Sequence, residues 1–122
     1  MSQRSRFFRV AASLFTLIAI SGCDHYADRM SVGEQQLKQG KYPQAEEAFA
    51  EATTAAEDGE GLYHGLKALA EVYEAQGDIE TADVLRKQAV MVMGHCLEDK
   101  MNGLWPCPVR EADLSISPQV GG

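Results

Sequence analysis

The sequence predicts an all-α fold in which four helices form two antiparallel hairpins. Apolar residues recur three or four positions apart through most of residues 24–96, which is the spacing of one face of an α-helix. Glycine and proline residues stand near the ends of these stretches and mark the turns between them. No stretch alternates apolar and polar residues with β-branched enrichment, so strands are not predicted.

The first hairpin is predicted from two helices on either side of a glycine turn. The first helix covers about residues 24–39, and Gly40 stands where a left-handed cap ends a helix. The second helix starts at Pro43, whose missing N–H costs nothing at the first helical position, and it ends near Glu57. The apolar faces of the two helices are formed by Tyr26, Met30, Gly33 and Leu37, and by Ala45, Ala48, Phe49 and Ala52.

The second hairpin is predicted from the two periodic stretches that follow. Its first helix stops at Gly77, and Asp78 is a suitable N-cap for the helix after it. Their apolar faces are formed by Leu62, Leu66, Leu69 and Tyr73, and by Ala82, Leu85, Ala89, Val92, Met93 and Cys96.

The composition excludes one class of partner. The 122 residues make one small domain at most, and 11 basic against 18 acidic residues give a net charge of −7. A protein that binds nucleic acid needs clustered cations to displace the counterions of the phosphates. Nucleic acid is therefore not expected as a partner.

The N-terminal segment is typical of an exported protein. Arg4, Arg6 and Arg9 precede residues 10–20, which carry no charge over 11 positions. A helix needs about 20 apolar residues to span a bilayer, so this stretch is too short for a permanent anchor. A basic start followed by such a stretch indicates a secretory signal.

The next four residues, Ile20, Ser21, Gly22 and Cys23, resemble the lipobox of bacterial lipoproteins. The resemblance implies that residues 1–22 are a signal peptide and that Cys23 carries a diacylglycerol thioether and an acylated amino group, commonly a palmitate. The chain would then be lipid-anchored in a bacterial cell envelope, on the periplasmic face. Asp24 is similar to an inner-membrane retention signal, which favours the inner over the outer membrane.

A disulfide is expected from the remaining cysteines. If Cys23 carries lipid, as the lipobox resemblance implies, Cys96 and Cys107 remain. The compartment outside the inner membrane is oxidising, so an even remainder predicts a bond between them.

The two hairpins correspond to each other in sequence. Residues 37–42 match residues 74–79 with a period of 37, and the pattern resembles the tetratricopeptide repeat (TPR) family, with Ala45 and Phe49 in the first repeat and Ala70 and Tyr73 in the second. Arg29 stands where the family has a large aromatic residue. The resemblance implies a TPR-like domain, a fragment of an α–α superhelix, over residues 23–96. The alternative is an unrelated small helical bundle.

The TPR resemblance also implies a concave, partner-binding surface on the first helix of each hairpin. Its acidic character favours a basic or mixed peptide segment of an envelope protein. The alternative is a solvated charged face, and a second copy of the chain is a further candidate partner. Carried over by position, the surface consists of Met30, Glu34, Leu37, His64, Lys67, Glu71 and Glu74.

Two repeats leave the ends of the stack uncovered, because stacked repeats usually need about three units. Residues 97–109 are expected to cap the fourth helix, and residues 110–122 are expected to form a flexible tail. The capping contacts are predicted for Leu97, Met101, Leu104 and Trp105.

No residue pattern predicts an enzyme or a cofactor. The sequence therefore favours a non-enzymatic adaptor or assembly factor for an envelope complex. The alternative is a periplasmic copper-binding lipoprotein, because the Met, His and Cys residues of segment 91–107 include the soft ligands that Cu(I) prefers. Methionine is also a common core filler, so the metal interpretation competes with simple packing.

Overall fold

The computed structural model describes residues 25–114, and 80% of these residues are helical with no strand among them. This confirms the all-α prediction and the packed helical hairpins. The predicted signal peptide, the lipidation site Cys23 and residues 115–122 lie outside the described range. Among residues 25–114, none of the helices combines the length and the hydrophobicity that spanning a bilayer requires.

Four long helices and one short helix build the domain. They are α1 (His25–Lys38), α2 (Tyr42–Ala55), α3 (Gly59–Ala75), α4 (Ile79–Met101) and α5 (Glu111–Leu114). Helix α1 packs on α2 and α3 packs on α4, and the two hairpins meet mainly where α2 contacts α3. Three-residue connections join α1 to α2, α2 to α3 and α3 to α4, so consecutive long helices run antiparallel.

The turns at Gly40 and Gly77 and the cap at Asp78 follow the predicted capping chemistry. Gly40 and Gly77 have φ values of +73° and +86°, the left-handed conformation that glycine adopts without strain. Asp78 caps α4 by accepting a hydrogen bond from the main-chain N–H of Thr81, at 3.1 Å. Asp58 caps α3 in the same way through the N–H of Gly61, at 2.8 Å. Each cap satisfies a donor that the helix leaves without a partner.

Phe49 and Gly33 bring the helices of the first hairpin close together. Phe49 is almost fully buried, and a Cβ atom built on Gly33 would lie 2.4 Å from Cε1 of the Phe49 ring. Any side chain at position 33 would therefore clash with the ring. The core continues between α3 and α4 through Leu62, Leu66, Val72, Leu85 and Val92.

The C-terminal segment differs from its prediction. Helix α4 continues to Met101, and the residues expected to cap it are exposed: Leu97 by 54%, Met101 by 88%, Leu104 by 55% and Trp105 by 51%. The chain turns at Gly103, where φ is +81°, and returns toward the start of α3. The apolar capping contacts predicted for these four residues are therefore wrong.

A polar contact covers α4 instead. The side-chain amide of Gln88 donates to the main-chain carbonyl of Asp113 at 2.8 Å, and Nδ1 of His95 lies 2.9 Å from Oδ1 of Asp113. The guanidinium of Arg110 donates to Oδ1 of Asp99 at 2.5 Å. Gln88 and Asp99 are buried, and buried polar groups need hydrogen-bond partners that apolar side chains lack. The folded part therefore extends to residue 114, past the tail boundary predicted at residue 110.

Cys96 and Cys107 lie at disulfide distance, with their Cα atoms 5.2 Å apart. Both are almost fully buried. The bonded pair packs against Gly59, where an added Cβ would lie 2.9 Å from Sγ of Cys107. The main-chain N–H of Gly59 also donates to the carbonyl of Cys107 at 2.8 Å. The C-terminal segment is thus joined both to the end of α4 and to the start of α3.

Candidate binding groove

A groove of about 550 Å³ runs between α1 and α3, and the ring of Phe49 from α2 forms part of its floor. The structure brings six of the seven residues of the predicted partner surface to its walls. Glu74 lies outside the groove and forms an ion pair with Arg86 of α4. The six residues that line the groove are Met30, Glu34, Leu37, His64, Lys67 and Glu71.

Helical spacing explains how the groove walls form. Met30, Glu34 and Leu37 are four and three residues apart, so they project from one side of α1. His64, Lys67 and Glu71 have the spacing three and four and project from one side of α3. The two rows face each other because both helices pack against α2 and α1 also touches α3.

The charges around the groove have two signs, with an acidic excess. Glu34 on α1 and Glu71 on α3 are exposed carboxylates. Lys67 lies between His64 and Glu71 on α3 and supplies a positive charge. The ammonium of Lys67 lies 5.1 Å from the centroid of the Tyr63 ring, a cation–π arrangement that holds the side chain on α3. Nε2 of His64 lies 4.0 Å from Oε1 of Glu60, one helical turn earlier.

A second cavity of about 400 Å³ continues the groove toward the start of α1. The two cavities share Tyr26 and His64 in their linings. The second cavity adds three carboxylates: Glu57 and Asp58 from the turn between α2 and α3, and Glu60 from the first turn of α3.

Tyr26 connects α1 to α3 at this end of the groove. Its hydroxyl donates to the carbonyl of Gly61 at 3.0 Å, which joins α1 to the first turn of α3. Burial raises the pKa of Tyr26, and the nearby charges of Asp58 and Glu60 raise it further. The sequence interpretation treated Tyr26 as a core residue and did not include the acidic turn in the site. The cluster of acids over residues 57–60 was the available signal.

The structure also locates the residues of the copper alternative. Cys96 and Cys107 are joined to each other, and His95 contacts Asp113. Met91 is 48% exposed on α4. Among residues 25–114, no group of three or more His, Cys, Asp or Glu side chains is arranged to hold a metal ion. In this state the thiolates that would bind Cu(I) are occupied by their own bond.

The groove combines an apolar floor with a mixed, mainly acidic rim. Such a surface suits a segment with apolar side chains for the floor and basic side chains for the rim. No protein-family model, curated protein or solved structure matches this chain.

Proposed function

We propose that this protein is a lipid-anchored, non-enzymatic adaptor of a bacterial envelope. In this proposal acylated Cys23 holds a TPR-like domain at the periplasmic face, with the inner membrane favoured over the outer by Asp24. The groove between α1 and α3 binds a peptide segment of an envelope protein, without a cofactor. The domain then serves as an adaptor or assembly factor for an envelope complex.

The groove is the observation that carries the proposal. Two rows of side chains from α1 and α3 face each other across about 550 Å³, above an apolar floor that includes Phe49. Helix-lined grooves with apolar anchors and charged rims are a common way to bind peptide segments. The acidic excess at the rim favours a basic or mixed segment, mainly by raising the rate of encounter.

The short tether favours a partner at the membrane. Only Asp24 separates Cys23 from the first residue of α1. Two residue steps span at most about 7 Å, so a lipid on Cys23 would keep the start of α1 near the bilayer surface. A partner that belongs to a membrane-associated assembly fits this position better than a freely diffusing protein.

Crosslinking in cells tests the groove. A photoreactive amino acid at position 67 or 71 is expected to capture one defined envelope protein, because both positions face the groove. The matched control is position 87, which is exposed on α4 and pairs with Asp83 outside the groove. Capture of the same proteins at all three positions, or of none, would contradict the proposal.

Charge reversal sharpens the same experiment. Glu71→Lys is expected to reduce capture at position 67, because it places a second cation beside the binding site of a basic segment. Asp83→Lys adds the same charge on α4 and is expected to leave capture unchanged. Unchanged capture in both variants would contradict an electrostatic role of the rim.

The lipid anchor is tested separately. Cys23→Ala is expected to leave the chain without the lipid mass and uncleaved after Gly22. A variant that is processed and membrane-attached like the original chain would contradict the lipoprotein proposal. Copper titration of the oxidised and reduced protein decides the alternative, because tight stoichiometric binding would favour a metal carrier over an adaptor.

A further inference from the structure

An exposed apolar tip projects from one end of the domain. It consists of Leu97, Met101, Leu104 and Trp105, each more than half exposed. Cys96 contacts Gly59 at the start of α3, so the helix after Cys96 extends beyond the neighbouring helices. Five further residues of α4 advance by about 7 Å along the helix axis. The tip therefore protrudes instead of lying against the body of the domain.

A series of contacts connects the tip to the start of α1. The hydroxyl of Tyr26 donates to the carbonyl of Gly61, at 3.0 Å. Two residues earlier in α3, the N–H of Gly59 donates to the carbonyl of Cys107, at 2.8 Å. Cys107 is two residues after Trp105. The tip and the first turn of α1 thus lie at the same end of the helical domain.

We propose that this tip inserts into the interfacial layer of the membrane that holds the acylated Cys23. The inference rests on the proposed lipid anchor, which ends two residues before His25 and so approaches the domain from this end. The lipid surface is the occupant because the anchor keeps it within about 7 Å of the start of α1 at all times. The tip, which protrudes by a similar distance, reaches the same surface.

The side chains of the tip suit an interfacial position. Tryptophan concentrates at the boundary between headgroups and acyl chains, because its ring is apolar and its N–H needs a polar partner. The ammonium of Lys100 lies 4.9 Å from the centroid of the Trp105 ring. A lysine beside the inserted ring can extend its charge to lipid phosphates while its stem stays in the apolar layer.

A second membrane contact would fix the orientation of the domain. A lipid on Cys23 alone leaves the domain free to tilt about its N-terminus. Contacts at both α1 and the tip hold α1 and α3 upright, so the acidic end of the groove, with Glu57, Asp58 and Glu60, faces the headgroups. The open groove above it then points to the compartment where the partner segment would bind.

Trp105 provides a direct probe, because it is the only tryptophan in the sequence. The mature lipoprotein is purified in detergent and reconstituted into vesicles of phosphatidylethanolamine and phosphatidylglycerol, with and without bromine on the acyl chains. Insertion is expected to move the emission to shorter wavelength, to reduce quenching by aqueous acrylamide and to cause quenching by the brominated lipid. If the emission of Trp105 in vesicles keeps the wavelength and the acrylamide quenching of tryptophan in water, the inference is overturned.

Two matched variants locate the contact on α4. Met101→Glu places a charge in the tip and is expected to abolish quenching of Trp105 by the brominated lipid. Met91→Glu makes the same change at a half-exposed position about 15 Å further along the helix and is expected to preserve the quenching. Both side chains are exposed, so neither change removes core packing. Equal loss in both variants would overturn the assignment to the tip.

The same preparation separates this inference from the lipid anchor. If the protein carries a lipid mass and floats with the vesicles while Trp105 remains in water, the insertion is wrong and the lipoprotein proposal stands. If it carries no lipid and does not float, both are wrong. If Trp105 is shielded from acrylamide but not quenched by brominated lipid, a second copy of the chain covers the tip, which also overturns membrane insertion.

Discussion

The two helices within each hairpin are held together differently in the first hairpin and in the second. In the first, Gly33 is the buried residue of α1, and the close approach of the Phe49 ring holds α1 to α2. In the second, α3 and α4 share a larger set of buried side chains. The Cys96–Cys107 bond holds the C-terminal segment on α4, and Cys107 accepts a hydrogen bond from Gly59 of α3.

This difference leaves α1 with fewer buried residues than α3. Helix α1 buries little of its surface, so Met30, Glu34 and Leu37 remain available on the wall of the groove. The second hairpin lies at an end of the stack, where no further hairpin follows within the described residues, and α5 covers part of α4 instead. Met30 and Leu37 pack partly against the core and also line the groove. The groove therefore has one wall on the sparsely buried α1 and the other on α3 of the second hairpin.

The largest expected effect comes from removing the disulfide. Replacing Cys96 and Cys107 together by alanine is expected to lower the free energy of unfolding by about 3 kcal/mol, because a loop of this length constrains the unfolded chain by about that amount. Urea unfolding of the double variant and of the reduced original protein measures the change. Hydrogen exchange is expected to rise at the Gly59 amide, which donates to Cys107, and to stay constant in α1.

Intact-mass analysis after alkylation is the control for that experiment. Protein isolated without reductant is expected to show no reactive thiol at Cys96 or Cys107. Two alkylated thiols would contradict the bond, and equal stability of the oxidised and reduced protein would contradict its role in the second hairpin.

A pair of glycine variants tests the first hairpin. Gly33→Ala is expected to destabilise the protein by about 1–2 kcal/mol, since the new Cβ meets the Phe49 ring and overpacking outweighs the gain in helix propensity. Gly94→Ala, also within a helix but with no atom within 4 Å of the added Cβ, is expected to stabilise it by up to about 1 kcal/mol. Urea unfolding measures both. If both variants change the free energy of unfolding in the same direction, the close approach at Gly33 does not hold the hairpin.

The smallest effect is expected at the junction of the hairpins. The hydroxyl of Tyr73 in α3 donates to Glu46 in α2, at 2.5 Å. Burial, followed by this hydrogen bond, raises the pKa of Tyr73 to about 12 from its ordinary value of 10.0. The raised pKa means that its contribution is fully present below about pH 10 and is lost as the pH rises toward 12.

Tyr73→Phe tests this contact. The variant is expected to lose about 1 kcal/mol at neutral pH, because the partly exposed hydrogen bond to a carboxylate is removed. It is also expected to lose less stability than the original protein between pH 10 and 12. Urea unfolding across that range gives both values, and Tyr63→Phe in the same helix is the control for general ionisation of tyrosine. Parallel pH curves for the original protein and Tyr73→Phe would contradict the shift.

Local sequence signals predicted the helices well because those signals act over a few residues. The glycine turns at Gly40 and Gly77 and the cap at Asp78 depend only on the neighbouring backbone, and all three are found where they were expected. The positions carried over from the TPR resemblance also include six residues that line the groove. The lining was predictable to that extent, and only Glu74 falls outside it.

The contacts of the C-terminal segment are the part of the fold that such local signals did not predict. Its most apolar residues, Leu104 and Trp105, suggested a cap, yet they lie exposed on the tip. The residues that cover α4, Arg110 and Asp113, fall within the predicted flexible tail. Asp113 contacts Gln88, 25 residues earlier in the chain, and Arg110 contacts Asp99, 11 residues earlier. The burial of these polar groups therefore depends on the path of the returning segment.

By itself, the sequence determined an all-α chain, the positions of its turns and the apolar face of each long helix, since periodicity and capping are local properties. The tertiary structure alone decided which polar groups are buried together, where the acidic turn meets Tyr26 and which apolar residues stay exposed at the tip. Those outcomes depend on contacts between residues far apart in the chain, and a buried polar residue is stable only when the fold brings its partner to it.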